Sequence, residues 1–561
     1  MKRLRWQILV VLATLVVVAL LLFSQQPALT PILPEAAPGG VYTEAVVGSL
    51  GRLNPLLDWN NSADRDANSL IFSGLVTFDA RGLPQPDLAE SWGVSADGMI
   101  YNFTLRPNAV WHDGVNVTST DVIFTIELIK SSSLFPADIK SLWAQIDVVE
   151  LDDKNLKFTL PEPFAPFLDY ATFGVLPRHI LGSTPPEQLD RADFNINPVG
   201  TGPYRFDHLI VEGGQIAGLV LSVNERYYLD RPFIQQVVFR YYADSRAAFS
   251  AYEQGEVLGV SEIALDVLPD ALQDPQLSLY TSPLPQIGMV MLNTKSQDAP
   301  FLDNAHVRRA LLLGLNRNYL ISAFLQGEAI VADGPVLPGS WARYDGLDRL
   351  SYDPESAVQI FKDEGYIIPA SGGSVRAKEN VALDFVLVHP DDSLHAQIAQ
   401  AIQQQWALIG VQANLQAVPY DQLIPVYLGP RTYEAALVDL NVARTPDPDP
   451  YPFWHQAEAT GGQNYSQWDS RAASEYLEQA RTETDFTVRT RHYRNFQVIF
   501  EKELPSLPLF YPVYNYGVDA QVRGVQIASL YDHSDRFLTI GNWYLVTRRT
   551  LQQTAEPSAA P

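Results

Sequence analysis

The chain has 561 residues, 47% hydrophobic and 11% aromatic, with 64 Asp and Glu against 39 Lys and Arg and a formal net charge of −25. That much apolar sequence argues against a disordered protein, because burial can offset chain entropy, and the length predicts two to four compact units. The acidity argues against nucleic acid as a partner, since phosphates need a basic face and no Lys/Arg cluster follows the first five residues.

Lys2, Arg3 and Arg5 precede an apolar run, 8–23, in which Thr14 is the one polar residue. Basic flank followed by apolar run is the pattern of an export segment, read for 1–23 either as an uncleaved membrane anchor or as a cleaved signal. The chain has no cysteine. That removes disulfides, thiolate zinc sites, cysteine nucleophiles and attachment through a lipid-accepting cysteine. Residues 24–40 carry Pro27, Pro31, Pro34, Pro38 and Gly39-Gly40, which predicts a stiff, extended spacer.

Tyr101-Asn102-Phe103-Thr104-Leu105 and Lys157-Phe158-Thr159-Leu160 alternate like antiparallel strands. Between them, Trp111-His112-Asp113-Gly114 falls between a strand and a helix starting near Ser119-Thr120-Asp121. Asn197-Pro198-Val199-Gly200-Thr201-Gly202-Pro203-Tyr204 reads as a rigid, glycine-punctuated loop. A single helix is expected over 304–326, capped by Asp303 or Asn304, with Val307, Ala310, Leu311 and Leu315 inward. The segment 383–388 reads as a strand. Ser393 then caps a helix with Leu394, Ile398, Ala401, Ile402, Trp406 and Ile409 on one face, Gly410 stops it, and 411–418 alternates again. That is a βαβ unit and requires a parallel pair with a right-handed crossover.

Pro446-Asp447-Pro448-Asp449-Pro450-Tyr451-Pro452-Phe453-Trp454-His455 is proline-locked and ends in aromatics, with Gly461-Gly462-Gln463-Asn464-Tyr465 just beyond. A helix follows Asp485 with Phe496, Ile499 and Phe500 on one face and is stopped by Pro505 and Pro508. Residues 549–561 read as a disordered tail. The pattern is α/β with substantial antiparallel sheet, and not one doubly wound domain.

No phosphate loop, dinucleotide turn, nucleophile elbow or His-Glu-x-x-His pair occurs, so neither a cofactor nor catalysis is expected. The aromatic, turn-forming segments read singly as surface turns with aromatic plugs. Together they suit a cleft that offers flat apolar contacts and a few fixed polar groups.

In order along the chain, Leu53-Asn54-Pro55, Pro86-Asp87-Leu88-Ala89-Glu90-Ser91-Trp92, Ser95-Ala96-Asp97-Gly98, Trp111-His112-Asp113-Gly114 and Pro198 to Tyr204 form a recognisable set. Asn224-Glu225-Arg226-Tyr227-Tyr228 and Val307-Arg308-Arg309-Ala310-Leu311 with Asn316-Arg317 extend it. The set resembles the family 5 extracellular solute-binding proteins, the oligopeptide, dipeptide and nickel-complex binders of ABC importers. The resemblance implies a periplasmic-binding-protein-like, two-lobed flytrap of the cluster C type with mixed sheets. Lobe 1 would span 41–284, with an inserted subdomain at about 61–195. Lobe 2 would span 285–507, and 508–548 would return to lobe 1.

It further implies a monomer that closes on a peptide or other small-molecule ligand and serves an ABC permease with its ATPase subunits. The ligand-binding residues it suggests are Ser49, Gly51, Trp111, Arg444, Asp447, Trp454, Asn464, Tyr465 and Tyr511. Peptide binders of the family pair an aspartate with the peptide ammonium where this chain has Arg444. Either Asp447 takes that role or the ligand presents an anion to Arg444. A peptide-like solute is expected, with opine, oligosaccharide and metal chelate as alternatives, and an exported hydrolase or a sensing receptor as the other classes.

Overall fold

The computed structural model describes residues 6, 11–18, 34–135, 137–442 and 445–549. A twelve-stranded sheet runs through the molecule. At one end Gln412–Val418, Asp384–Pro390, Ala435–Asn441 and Gln286–Leu292 lie side by side. At the other end Val41–Val47, Gln236–Tyr242, Gln215–Val223 and Tyr204–Glu212 do the same. The strand Ser506–Asp519 joins the two ends. Its first part pairs antiparallel with Gly288 to Met291, and its last part with the strand Leu277–Pro283. Because Leu277–Pro283 leads directly into Gln286–Leu292, two adjacent extended segments cross between the halves. Extended crossings of this kind can absorb a hinge rotation without breaking either core.

Each half has its own apolar interior. In the second half, Phe385, Leu437 and Leu507 lie on one side of the sheet, and Met289, Val438 and Phe500 on the other. In the first, Tyr42, Val237 and Phe239 share one core with Phe103, Trp143 and Phe158. Those last three belong to a unit built on a separate four-stranded antiparallel sheet, Ala89–Val94, Ile100–Leu105, Asn155–Thr159 and Asp147–Asp152. The protein is thus a two-lobed α/β fold whose first lobe carries a fused inserted subdomain.

The alternating segments near 101–105 and 157–160 are neighbours in that small sheet. The βαβ unit is present, its strands Asp384–Pro390 and Gln412–Val418 pairing in parallel across helix Ser393–Leu408. Its cap is Asp392 and not Ser393, because the Asp392 carboxylate accepts from the Leu394 and His395 amides. The helix Phe486–Glu503 starts at the Asp485 cap, buries Phe496 and Phe500, and ends where Leu504 turns left-handed at φ 45.

Two expectations are corrected. The helix expected over 304–326 is broken into Ala305–Leu313 and Arg317–Phe324. Gly314 caps the first, and the Asn316 side chain accepts the Tyr319 amide to start the second. The end of the proline-rich segment is not a free spacer, since Pro34–Ala37 pairs antiparallel with Val546–Arg549 at the other end of the chain. The apolar run 8–23 lies only partly within the described residues, of which 11–18 are helical and exposed. Among the described residues, no helix is long and apolar enough to cross a membrane.

Candidate functional site

Between the lobes lies a cavity of about 570 Å3. The first lobe contributes Trp59 and, from its inserted subdomain, Phe135, Trp143, Tyr170 and Phe173; the second lobe contributes Tyr420, Ile424, Phe453 and Tyr465. Flat apolar walls of this kind hold a ligand by area, while polar groups set its orientation. A larger compartment of about 880 Å3 adjoins it on the first-lobe side, and Pro55, Trp59, Phe135, Ile139, Thr172, Phe173 and Asn441 line both.

The polar character of the smaller cavity is acidic. Asp169, Asp439, Asp447 and Asp449 line it, and among the described residues no Lys, Arg or His does. Each acid is held by groups behind the wall. Asp447 forms a buried ion pair with Arg489, both side chains under a tenth exposed. Its Oδ1 also accepts from the Tyr493 hydroxyl at 3.2 Å and the Asp449 amide at 3.1 Å. Asp449 takes a two-pronged contact from Arg481, Nε to Oδ1 at 2.9 Å and Nη2 to Oδ2 at 2.7 Å. The Arg481 guanidinium lies 3.8 Å from the Tyr451 ring centroid, and its carbonyl accepts the Ala165 amide of the inserted subdomain at 2.6 Å.

Asp169 belongs to the inserted subdomain, and its Oδ1 accepts the Asp447 amide at 2.9 Å. Burial, reinforced by the Asp447 charge, pushes its carboxyl up to about 8 despite that amide and Arg489. Asp439 accepts from His395 Nε2 at 3.1 Å, and His395 Nδ1 lies 2.6 Å from Asp392. Burial pulls the His395 imidazole down, but Asp439 and Asp392 outweigh it and the net shift is upward. No group of three or more His, Asp or Glu able to hold a metal ion occurs among the described residues.

Of the residues suggested by sequence, Asp447 and Tyr465 line the cavity. Tyr465 lies beneath the Arg431 guanidinium, 5.1 Å from ring centroid to Cζ. Arg444 lies outside the described residues. The other six line neither compartment.

Trp111 is fully buried in the inserted subdomain, its indole N–H directed at Asp121. Trp454 is packed edge-on against Phe500. Asn464 is fully buried and ties its loop together, donating to the His455 and Trp468 carbonyls. Tyr511 is fully buried at the crossing and donates to the Gly334 carbonyl at 2.6 Å. Ser49 and Gly51 sit on an exposed turn fastened to helix Ser62–Ile71, through Asn61 to the Ser49 carbonyl and the Gly51 amide to Asp64. For these four buried side chains the aromatic or polar character that suggested ligand contact is spent on packing and loop closure.

Asp169, Tyr170, Phe173, Tyr420, Ile424 and Asp439 carry no sequence signal for a site. They reach the cavity only through the approach of the lobes.

Two lobes joined by paired extended crossings, with an aromatic and acidic cavity enclosed between them, define a solute-binding fold. Residues 84–464 match the family model described as bacterial extracellular solute-binding proteins, family 5, and the chain belongs to that family. It is similar to the oligopeptide-binding protein AppA of Bacillus subtilis, 25% identical over 90% of this chain and 91% of that one. It is also similar to the dipeptide-binding protein of Escherichia coli, 25% identical over 87% and 92%. Among solved structures, NikZ of Campylobacter jejuni in complex with Ni(L-His) superposes with a TM-score of 0.68 at 26% identity, covering 90% of this chain and 99% of that one.

Proposed function

We propose that this chain captures peptides or peptide-like solutes between its lobes and delivers them to an ABC permease whose partner subunits hydrolyse ATP. The observation that carries the reading is the interlobe cavity itself, whose aromatic walls and four aspartates suit an extended ligand with apolar groups and cationic or N–H-bearing ends. The peptide-binding relatives support it. Closure excludes water from ligand and walls, and the ligand favours the closed form by its extra affinity for that form alone. In this reading the basic flank and apolar run at residues 2–23 direct export and, if retained, tether the protein to the outer face of the membrane.

The test is a thermal-shift screen of the full chain against defined peptides, oligosaccharides, opines and metal chelates, with mass spectrometry of whatever co-purifies. Ligand at about 100 times its Kd should add about 2.7 kcal/mol to stability. The expected result is a raised Tm with peptides; a shift with another class and none with peptides would overturn the proposal.

A further inference from the structure

Each of the four acids on the wall of the smaller cavity is matched by a cation or a proton of the protein itself. Asp447 pairs with Arg489 through one oxygen, and its other oxygen accepts from Tyr493 and from the Asp449 amide. Asp449 receives Arg481 on both of its oxygens. Asp439 accepts from His395 Nε2 at 3.1 Å; against the pull of burial, Asp439 and Asp392 hold that imidazole above its ordinary range. Asp169, buried beside Asp447, titrates at about 8 and so keeps its proton at pH 7.

The three cations stand behind the wall on three separate helices, His395 on Ser393–Leu408, Arg481 on Arg471–Thr482 and Arg489 on Phe486–Glu503. None of them lines the cavity. The wall therefore presents carboxylate oxygens with little net charge.

That arrangement treats two kinds of ligand group differently. An ammonium entering the cavity loses its hydration, a large cost unless an unmatched opposite charge replaces it. Here Asp447 and Asp449 already hold guanidinium groups, which lie one side chain deeper and repel a second cation. A neutral N–H or O–H has far less hydration to lose. The same carboxylate oxygens, with up to four acceptor sites each, can still take its hydrogen bond. Gln286, Thr445 and Gln463 add uncharged polar groups to the same wall.

We propose that the interlobe cavity selects peptide-like solutes that carry no cationic group, N-acylated or cyclic peptides in preference to peptides with a free amine. The proposal rests on the peptide reading given above, and of its two options, cationic or N–H-bearing ends, it takes the second.

The test offers the full chain an equimolar mixture of Ala-Phe-Ala-amide and N-acetyl-Ala-Phe-Ala-amide at pH 7, with captured peptide counted by mass spectrometry. The two differ by one positive charge at the amino end. The wild type should capture the acetylated peptide in excess, on the order of tenfold. Arg481→Met unmasks Asp449 and should move the ratio towards the free amine by a similar factor. His395→Gln should do the same through Asp439, from a different helix. A preference that came from contacts to the acetyl group alone would not move in either variant.

Melting curves show which variants fold, and His395→Gln carries the comparison if Arg481→Met does not. A wild type that prefers the free amine or shows no preference, or a ratio unmoved in a folded variant, overturns the inference and leaves the peptide reading intact. A wild type that captures neither peptide fails the peptide reading and this inference with it.

Discussion

The Asp447 amide of the second lobe donates to the Asp169 carboxylate of the inserted subdomain at 2.9 Å, across 278 positions of sequence. This hydrogen bond is a direct polar link between the two walls of the cavity. It brings two carboxyl groups together out of water, and only Asp447 has a buried arginine as its ion-pair partner. The cost falls on Asp169.

That cost has a pH signature. The Asp169 carboxyl sits at about 8 in the folded chain, against about 3.9 for an ordinary aspartate. Through the window between those values the folded state keeps a proton that the unfolded state has released. This group therefore lowers stability as pH rises through that window, and its effect levels off above about 8. Asp169→Asn keeps an oxygen for the Asp447 amide and removes the titration. The variant should match the wild type near pH 4 and melt at a higher temperature at pH 9. Parallel Tm profiles across that range would refute the assignment.

Arg489 should behave as a structural cation. It is buried and pairs with Asp447; burial pulls its guanidinium down, but Asp447, Tyr493 and Asp449 together outweigh that and hold it above its ordinary range. Arg489→Met would leave the buried Asp447 without its ion-pair partner, held only by the Tyr493 hydroxyl and the Asp449 amide, and breaking such a buried pair typically costs about 3–5 kcal/mol. Urea unfolding of the variant and the wild type measures that difference. A loss below about 1 kcal/mol would mean that water or a neighbouring group replaces the arginine.

What the sequence revealed and what it hid divide along physical lines. Period and cap chemistry are local, so Asp384–Pro390, Gln412–Val418 and Phe486–Glu503 could be anticipated from their own residues. A proline-flanked aromatic looks the same whether it plugs a core or faces a ligand. Trp454 and Phe453 are adjacent in sequence, yet Trp454 is buried against Phe500 while Phe453 lines the cavity. Asp169 and Asp439 become site residues only when distant segments meet, and no spacing rule encodes that. The break at Gly314 and Asn316 was written in the sequence as a glycine C-cap followed by an asparagine N-cap, but the continuous apolar face concealed it.

The loop from Pro198 to Tyr204 yields a prediction about packing. Gly200 lies so close to the end of helix Ser62–Ile71 that an added Cβ would meet the Ile71 carbonyl oxygen at 1.9 Å. The neighbouring Gly202 amide donates to that same carbonyl at 2.8 Å. Backbone cannot give way as a flexible side chain can, so Gly200→Ala should force the loop off the helix at a cost of about 1–3 kcal/mol. A lowered Tm with unchanged ligand preference is the expected outcome; an unchanged Tm would show that the loop can move freely.

A contrast between two aromatic residues separates binding from stability most cleanly. Tyr420 is 53% exposed and lines the cavity from the second-lobe wall. Trp454 is 2% exposed and lines neither compartment. Truncating a half-exposed cavity aromatic removes ligand contact but little folded-state packing, so Tyr420→Ala should weaken peptide affinity by about 1–2 kcal/mol, roughly five- to thirtyfold, while Tm without ligand barely moves. Truncating a buried tryptophan opens a void that the surroundings fill only in part. Trp454→Ala should therefore cost about 3–5 kcal/mol of stability, and any affinity loss should follow from the smaller folded fraction. Calorimetric titration beside urea unfolding for both variants reads the two effects separately. If Tyr420→Ala lost stability without affinity, or Trp454→Ala lost affinity while fully folded and equally stable, the wall of the site would have to be redrawn around Trp454.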